Sequence, residues 1–178
     1  MTKKRKSSEE QLDTTKILSH LGICPGQTIL DAGCGDGYMA KKFSTLVGNS
    51  GKIYALDYRR ELINTLHEEV IDTNIETLVG DITTTTKLEP CSIDLVYLST
   101  VFHIFSPAQV VMFEEEMQRV LRPNAQLAIV NVIKEETPCG PPLKMRSSPE
   151  ELRAKISLTP TKLVEVNMYF YMQIFQKK

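Results

Sequence analysis

The sequence predicts an α/β sandwich that closes on a β-hairpin, and three observations carry that prediction. Short, nearly continuous apolar runs alternate with segments whose apolar residues recur at 3.6-residue spacing. Helix start signals stand at the front of several of those segments. The tail then leaves the alternation for two strand-like runs with little between them. Strand–helix alternation of this kind implies a mostly parallel sheet with helices on both faces.

The strand candidates are Thr28–Asp31, Lys52–Asp57, Glu76–Val79, Ile93–Leu98 and Gln126–Ile133, apolar almost throughout, as strands buried on both faces are. The helix candidates each carry one apolar face. Met39, Ala40, Phe43, Leu46 and Val47 form the first, Leu62, Ile63, Leu66 and Val70 the second, and Val110, Phe113, Met117, Val120 and Leu121 the third. Ser106-Pro107-Ala108-Gln109 and Ser148-Pro149-Glu150-Glu151 each place Ser at the cap, Pro at the first helical position and Gln or Glu at the third. Ser8-Glu9-Glu10-Gln11 reads as a similar cap for a helix running toward Leu21. Thr161–Met168 and Tyr169–Phe175 are expected to pair as an antiparallel hairpin. The second is rich in aromatic residues and could support a homodimer if it lay at or near the sheet edge, although packing within the hairpin is the default.

Composition bounds the function. The 178 residues fit a single domain, and 42% hydrophobic with 24% charged residues is the balance of a globular chain. A net charge of −1 removes the simplest case for nucleic-acid or anionic-membrane binding. No stretch has the ~18 uncharged apolar residues of a membrane span. Met1–Glu10 is polar and lacks the apolar core of a signal peptide. Cys24, Cys34, Cys91 and Cys139 form no CxxC pair, which argues against a disulfide scaffold or metal site and for reduced thiols in the cytoplasm. Lys3-Lys4-Arg5-Lys6 is a basic run with two readings, a localisation or nucleic-acid patch and a solvated terminus.

The chemistry is concentrated in Ile29-Leu30-Asp31-Ala32-Gly33-Cys34-Gly35-Asp36-Gly37-Tyr38, where a strand runs into three alternating glycines and then a helix. Such glycines permit a tight turn and let a ligand approach bare backbone at a helix N-terminus. A dinucleotide fingerprint wants glycine at position 38, where this chain has Tyr38. Asp31 would also repel a pyrophosphate, whereas a carboxylate suits a ligand bearing an amine or sulfonium charge. Asp57, with Tyr58 after it, ends the second strand about 20 residues on, where a carboxylate can accept both ribose hydroxyls. Gly80-Asp81-Ile82 ends the third and can present a carboxylate and an apolar face to an adenine ring. Asp57 and Asp81 taken singly can equally be ordinary turn residues.

These segments resemble the class I S-adenosylmethionine-dependent methyltransferases, particularly the small-molecule branch of the ubiquinone/menaquinone-biosynthesis type. The resemblance runs from about Ile23 to Ile133. Ile29–Tyr38 matches the family's cofactor-binding glycine motif, Asp57 its ribose-binding acidic residue and Gly80-Asp81-Ile82 its adenine-binding segment. Ile93-Asp94-Leu95-Val96 with Ser99–Phe105 matches the fourth-strand motif facing the methionine moiety and acceptor, and Leu121-Arg122-Pro123 precedes the fifth strand as is typical. Two features depart from the family: Asn124-Ala125 replaces the usual Gly-Gly turn, and no Gly-Phe pair enters the sixth strand.

The resemblance implies a Rossmann-like three-layer sandwich with a seven-stranded, mostly parallel sheet whose last strand is antiparallel. It divides the chain into an N-terminal helix and basic tail (1–22), a cofactor-binding core (23–133), and a lid loop, helix and C-terminal hairpin (134–178). It implies S-adenosylmethionine as cofactor, with Asp31, Gly33, Cys34, Gly35, Gly37, Tyr38, Asp57, Tyr58, Gly80, Asp81, Ile82 and Ser99 as binding residues. The acceptor is expected to be a small molecule. His103, just past the fourth strand, is the candidate general base or acceptor positioner, with a structural role as the alternative. Tyr38 can close over the cofactor, and Arg146 can hold an anionic substrate or stand solvated. The Glu135–Arg146 loop, the Ser147–Lys155 helix and the N-terminal helix are candidate lids. Because the loop mixes Lys134, Glu135, Glu136, Lys144 and Arg146, no substrate charge follows from it. A cofactor-binding subunit without transferase activity of its own is the alternative function. A nucleotide-dependent oxidoreductase is disfavoured by Asp31 and Tyr38. Leu98-Ser99-Thr100-Val101, in place of Asn-Pro-Pro-Tyr, counts against methylation of planar nitrogens.

Overall fold

The computed structural model describes residues 12–138 and 140–178. The expectations for Lys3–Lys6, the Ser8 cap and Cys139 lie outside those residues. In chain order the elements are α1 (Thr14–Leu21), β1 (Thr28–Ala32), α2 (Tyr38–Val47), β2 (Lys52–Asp57), α3 (Arg60–Glu69), β3 (Ile75–Val79), β4 (Ile93–Ser99), α4 (Pro107–Val120), β5 (Leu121–Val132), α5 (Pro149–Lys155), β6 (Thr159–Asn167) and β7 (Phe170–Gln176). They form one seven-stranded sheet of order β3-β2-β1-β4-β5-β7-β6. β1 to β5 pair in parallel, and β7 runs antiparallel between β5 and β6.

Successive strand residues point to opposite faces, and each face meets helices. Ile29, Ile53, Leu95 and Tyr97 pack with Ile17 of α1, Phe43 of α2 and Leu66 of α3. Leu30, Val96, Leu98 and Ile129 pack on the other side with Phe113 and Met117 of α4 and Leu152 of α5. Burying both faces is why these strands read as continuous apolar runs.

The capping boxes are present as read: Ser106 with Gln109 and Ser148 with Glu151 each exchange side-chain and backbone hydrogen bonds. α1 starts at Thr14 with Asp13 as its cap, accepting from the Lys16 N–H at 2.9 Å. β5 starts at Leu121 rather than Gln126, pairing Leu121 with Ile93 across an irregularity. Asn124 there takes φ +66, the left-handed conformation that Asn tolerates. The aromatic last strand is interior, next to the edge strand β6, and packs within the hairpin as the default reading had it. Among the described residues no helix is long and apolar enough to cross a membrane.

Candidate functional site

A cavity of about 620 Å³ opens where β1, β2, β3 and β4 end, within the size range of cofactor pockets. The crossover connections turn away on both sides of β1 at this edge, which leaves a crevice over the carboxyl ends of the strands. Gly33, Gly35, Asp57, Tyr58, Gly80, Asp81, Ile82 and Ser99 line it. Asp31, Cys34, Gly37 and Tyr38 do not. Asp31 and Cys34 are buried beneath it in the sheet and turn. The Tyr38 hydroxyl lies 3.4 Å from Thr14 Oγ1, and its ring packs on the α1–α2 side of the sheet.

The glycine turn divides into two roles. A Cβ at Gly33 would stand 2.6 Å from Val101 Cγ2, and one at Gly37 would stand 2.4 Å from Leu66 Cδ1. Those two positions are bare because the protein's own side chains fill the space. Gly35, at φ +58, is the one whose open side faces the cavity. The Leu56 carbonyl anchors the turn by accepting from the Gly33 and Cys34 N–H groups at 2.7 and 3.0 Å.

Asp57 is 2% exposed and fully engaged by the protein. Its Oδ1 accepts from the Arg59 N–H at 2.9 Å and from Arg59 Nε at 3.0 Å. Its Oδ2 accepts from the Gly35 N–H and from Arg59 Nη2, both at 3.0 Å. A carboxylate offers about four lone-pair sites, so all of them are taken. Burial pushes the Asp57 carboxyl up, but the Arg59 guanidinium and the two backbone N–H groups outweigh it and hold the group below its ordinary value. Arg59 is half exposed and its own pKa is raised, first by the hydrogen bonds to Asp57.

Asp81 bends back on itself: Oδ1 accepts from the Thr83 N–H at 2.8 Å and from Thr83 Oγ1 at 2.7 Å. Its Oδ2 accepts nothing among the described residues. The loop beyond is tied to α4 by buried Glu116, whose Oε1 accepts from the Thr86 N–H and hydroxyl while Arg119 grips both carboxylate oxygens. At the end of β4 the buried Ser99 Oγ has no hydrogen-bond partner. Thr100 follows at φ +55, a conformation that costs a β-branched residue about 1–3 kcal/mol and clusters at functional sites. That turn sets Val101 against Gly33 and places Thr100 on the cavity wall.

His103 lies elsewhere. The 3-10 turn Phe102–Ile104 carries it into a second hollow of about 330 Å³, with Lys144, Met145, Ser147 and Lys155 opposite. Ile104 and Phe105 line both cavities, so the turn is the wall between them. Burial, reinforced by the charge of Arg146, holds the His103 imidazole below its ordinary pKa and therefore neutral near pH 7. Arg146 is neither solvated nor turned toward a ligand. It is 8% exposed and donates to the Pro141, Ile133 and Glu135 carbonyls and to Thr137 Oγ1. No described residue of α1 lines either cavity.

Sequence reasoning did not single out Arg59, read Gln109 only as a cap residue and took Thr100 only as part of the Ser99–Phe105 motif; all three also line the main cavity. Arg59 had a faint signal, a cation two residues after an acidic strand end. Positive φ at Thr100 had none. The donor set fits a nucleoside with a charged side chain: an orphaned hydroxyl at Ser99, a carboxylate oxygen at Asp81, open backbone at Gly35 and an apolar face at Ile82.

Comparison with known proteins agrees with this geometry. A family model described as a methyltransferase domain matches residues 29–124. A SAM dependent methyltransferase from Aquifex aeolicus superposes on 97% of this chain and 94% of its own, at 31% identity and a TM-score of 0.87. A ubiquinone/menaquinone biosynthesis C-methyltransferase of Hahella chejuensis is 29% identical over 120 residues, 66% of this chain and 47% of its own length. A 2-phytyl-1,4-naphtoquinone methyltransferase of Trichormus variabilis is 26% identical over 121 residues, 62% of this chain and 48% of its own. The chain spans between about a third and a half of the length of the curated relatives it matches. With more than half of its residues inside the family's domain and a near full-length structural counterpart at 31% identity, the chain belongs to the class I S-adenosylmethionine-dependent methyltransferase family.

Proposed function

We propose that the protein transfers a methyl group from S-adenosylmethionine to a small-molecule acceptor, with the 620 Å³ cavity as the donor site. The observation that carries this reading is the convergence of Asp57, Asp81, Gly35 and the partnerless Ser99 hydroxyl on one crevice at the strand ends. Asp57 would take the ribose hydroxyls, Asp81 Oδ2 an exocyclic amine, and Ile82 the ring face. Gly35 and Ser99 would hold the amino-acid portion. Asp31 and Cys34 act from beneath, shaping the turn, and Gly37 and Tyr38 set its exit into α2.

Bound there, S-adenosylmethionine supplies a methyl carbon on a positively charged sulfur, ready for in-line displacement. The protein's own task is to fix the acceptor in line and to keep water out. Ile104 and Phe105 stand at the boundary between the two cavities and supply a dry wall there. A hydroxyl acceptor must also lose a proton, and the neutral His103 can accept it at whichever ring nitrogen is bare. A thiolate or neutral amine needs no such base.

Calorimetric titration tests the donor site. S-adenosylmethionine and S-adenosylhomocysteine are expected to bind at micromolar concentration and NAD not at all. Binding of NAD in their place, or of none of the three, overturns the reading.

A further inference from the structure

The second hollow has a chemical character that the mixed charges of the sequence conceal. Phe102, Ile104, Val110 and Met145 give its wall apolar patches beside the hydroxyl-bearing Ser106 and Ser147. Its charged groups are all of one sign. Lys144 and Lys155 line it, and no Asp or Glu does.

The nearby carboxylates make their hydrogen bonds elsewhere, although Glu151 lies close enough to Lys155 to feel its charge. Glu151 pairs with Lys134 and accepts from the Ser148 N–H at 2.9 Å. Glu150 accepts from Ser148 Oγ and stands 3.8 Å from Arg153. Glu135 and Glu136 are exposed on the loop, and Glu135 offers the interior only its backbone carbonyl, to Arg146. Arg146 does not line the hollow; it is buried nearby and donates to three carbonyls and a hydroxyl. Its field reaches His103 in the hollow. Lys155 is held in place by a 2.9 Å hydrogen bond to Ser147 Oγ, with its ammonium 6.0 Å from the Phe102 ring centre. Lys144 makes no ion pair among the described residues.

Two cations on one concave wall, with no Asp or Glu in that lining, attract an anion. We infer that this hollow receives the methyl acceptor, and that the acceptor is a small molecule with an apolar body and an anionic group held between Lys144 and Lys155. The acceptor role rests on the neighbouring cavity being the donor site; the anion preference rests on the hollow alone. The apolar body would lie against Phe102, Val110 and Met145, and the Ile104–Phe105 wall is where the two ligands would meet.

The test uses protein labelled with ¹³C at the methionine methyls and compares 3-phenylpropanoate with its uncharged primary amide. Met145 lines the hollow, and Met168, 72% exposed on the turn between β6 and β7, is the control. The carboxylate is expected to shift the Met145 signal saturably, leave Met168 in place, and bind at least tenfold more tightly than the amide. The Lys144→Gln, Lys155→Gln double variant is expected to bring the carboxylate down to the affinity of the amide while leaving S-adenosylhomocysteine affinity unchanged. Equal binding of acid and amide, or an unaltered carboxylate affinity in the double variant, overturns the anion site. Failure of the unmodified protein to bind S-adenosylhomocysteine overturns the donor reading and the acceptor role, and is seen separately by calorimetry.

Discussion

The Asp57 carboxylate and the Arg59 guanidinium occupy each other through two hydrogen bonds, and two backbone N–H groups fill the remaining acceptor sites. Ribose hydroxyls can reach Asp57 only by displacing the half-exposed guanidinium from at least one oxygen. Replacing Asp57 by Asn should therefore weaken S-adenosylhomocysteine binding by roughly 1–3 kcal/mol, because the hydroxyls lose a charged acceptor. Replacing Arg59 by Ala should act in the opposite direction, tightening binding by about 0.5–1.5 kcal/mol as the competing donor is removed. Calorimetry on both variants checks the pair. An Asp57→Asn protein with unchanged affinity would show that the carboxylate serves only the turn. The glycines make a related point. Their spacing was legible as a ligand turn, yet two of them, Gly33 and Gly37, are bare to admit Val101 and Leu66, residues about 68 and 29 positions away in sequence. No spacing rule carries that information.

At the scale of elements, one buried side chain ties together described residues on both sides of the Pro-rich loop. Arg146 donates to the Ile133, Glu135 and Pro141 carbonyls and to the Thr137 hydroxyl, so these residues are folded around a guanidinium. The next element is fixed from the sheet. The Tyr171 hydroxyl of β7 donates to the Ser147 carbonyl at 2.7 Å, and burial raises its pKa to about 12, keeping that donor protonated. Replacing Arg146 by Leu should strand its carbonyl partners and destabilise the fold by about 2 kcal/mol, a fall of roughly 4–8 °C in melting temperature. Differential scanning calorimetry reads this directly. A change within 1 °C or so would mean that the loop holds its shape without the guanidinium. The loop charges in the sequence have no sign of preference because the sequence does not say which are spent. The structure spends Arg146 inside the loop and Lys134 on Glu151, and leaves Lys144 facing the hollow.

For the whole molecule, His103, Asp57 and Glu116 each make stability depend on pH. His103 has a lowered pKa, first through burial and then through Arg146, so the unfolded chain binds its proton more readily. Its contribution is complete above the unfolded value of about 6.5 and declines as pH falls below it. Asp57 and Glu116 are also lowered, since their hydrogen bonds to Arg59 and to Arg119 and Thr86 outweigh burial. Their contributions are complete above the ordinary carboxylate values of 3.8 and 4.5 and disappear as pH falls through the lower folded values. Urea unfolding between pH 7 and pH 3 should show a shallow loss beginning near pH 6.5 and a steeper one below about pH 4.5, each group limited to ~1.4 kcal/mol per pH unit. His103→Gln should remove the first limb and Glu116→Gln should soften the second. A single acid limb, unchanged in His103→Gln, would refute the first assignment.

The sequence by itself determined the layered architecture, the seven-stranded, mostly parallel sheet implied by its resemblance, the helix caps at Ser106 and Ser148, and the acidic strand ends at Asp57 and Asp81. All of these are written in local periodicity and in residues that a turn or cap needs at one position. Only the tertiary structure decided that β7 is interior, that Tyr38 faces α1, that Asp57 is already gripped by Arg59, and that His103 stands in a second hollow among lysines. Each of those facts depends on which distant side chain fills a given space or takes a given hydrogen bond, and that is settled by packing between elements rather than within them.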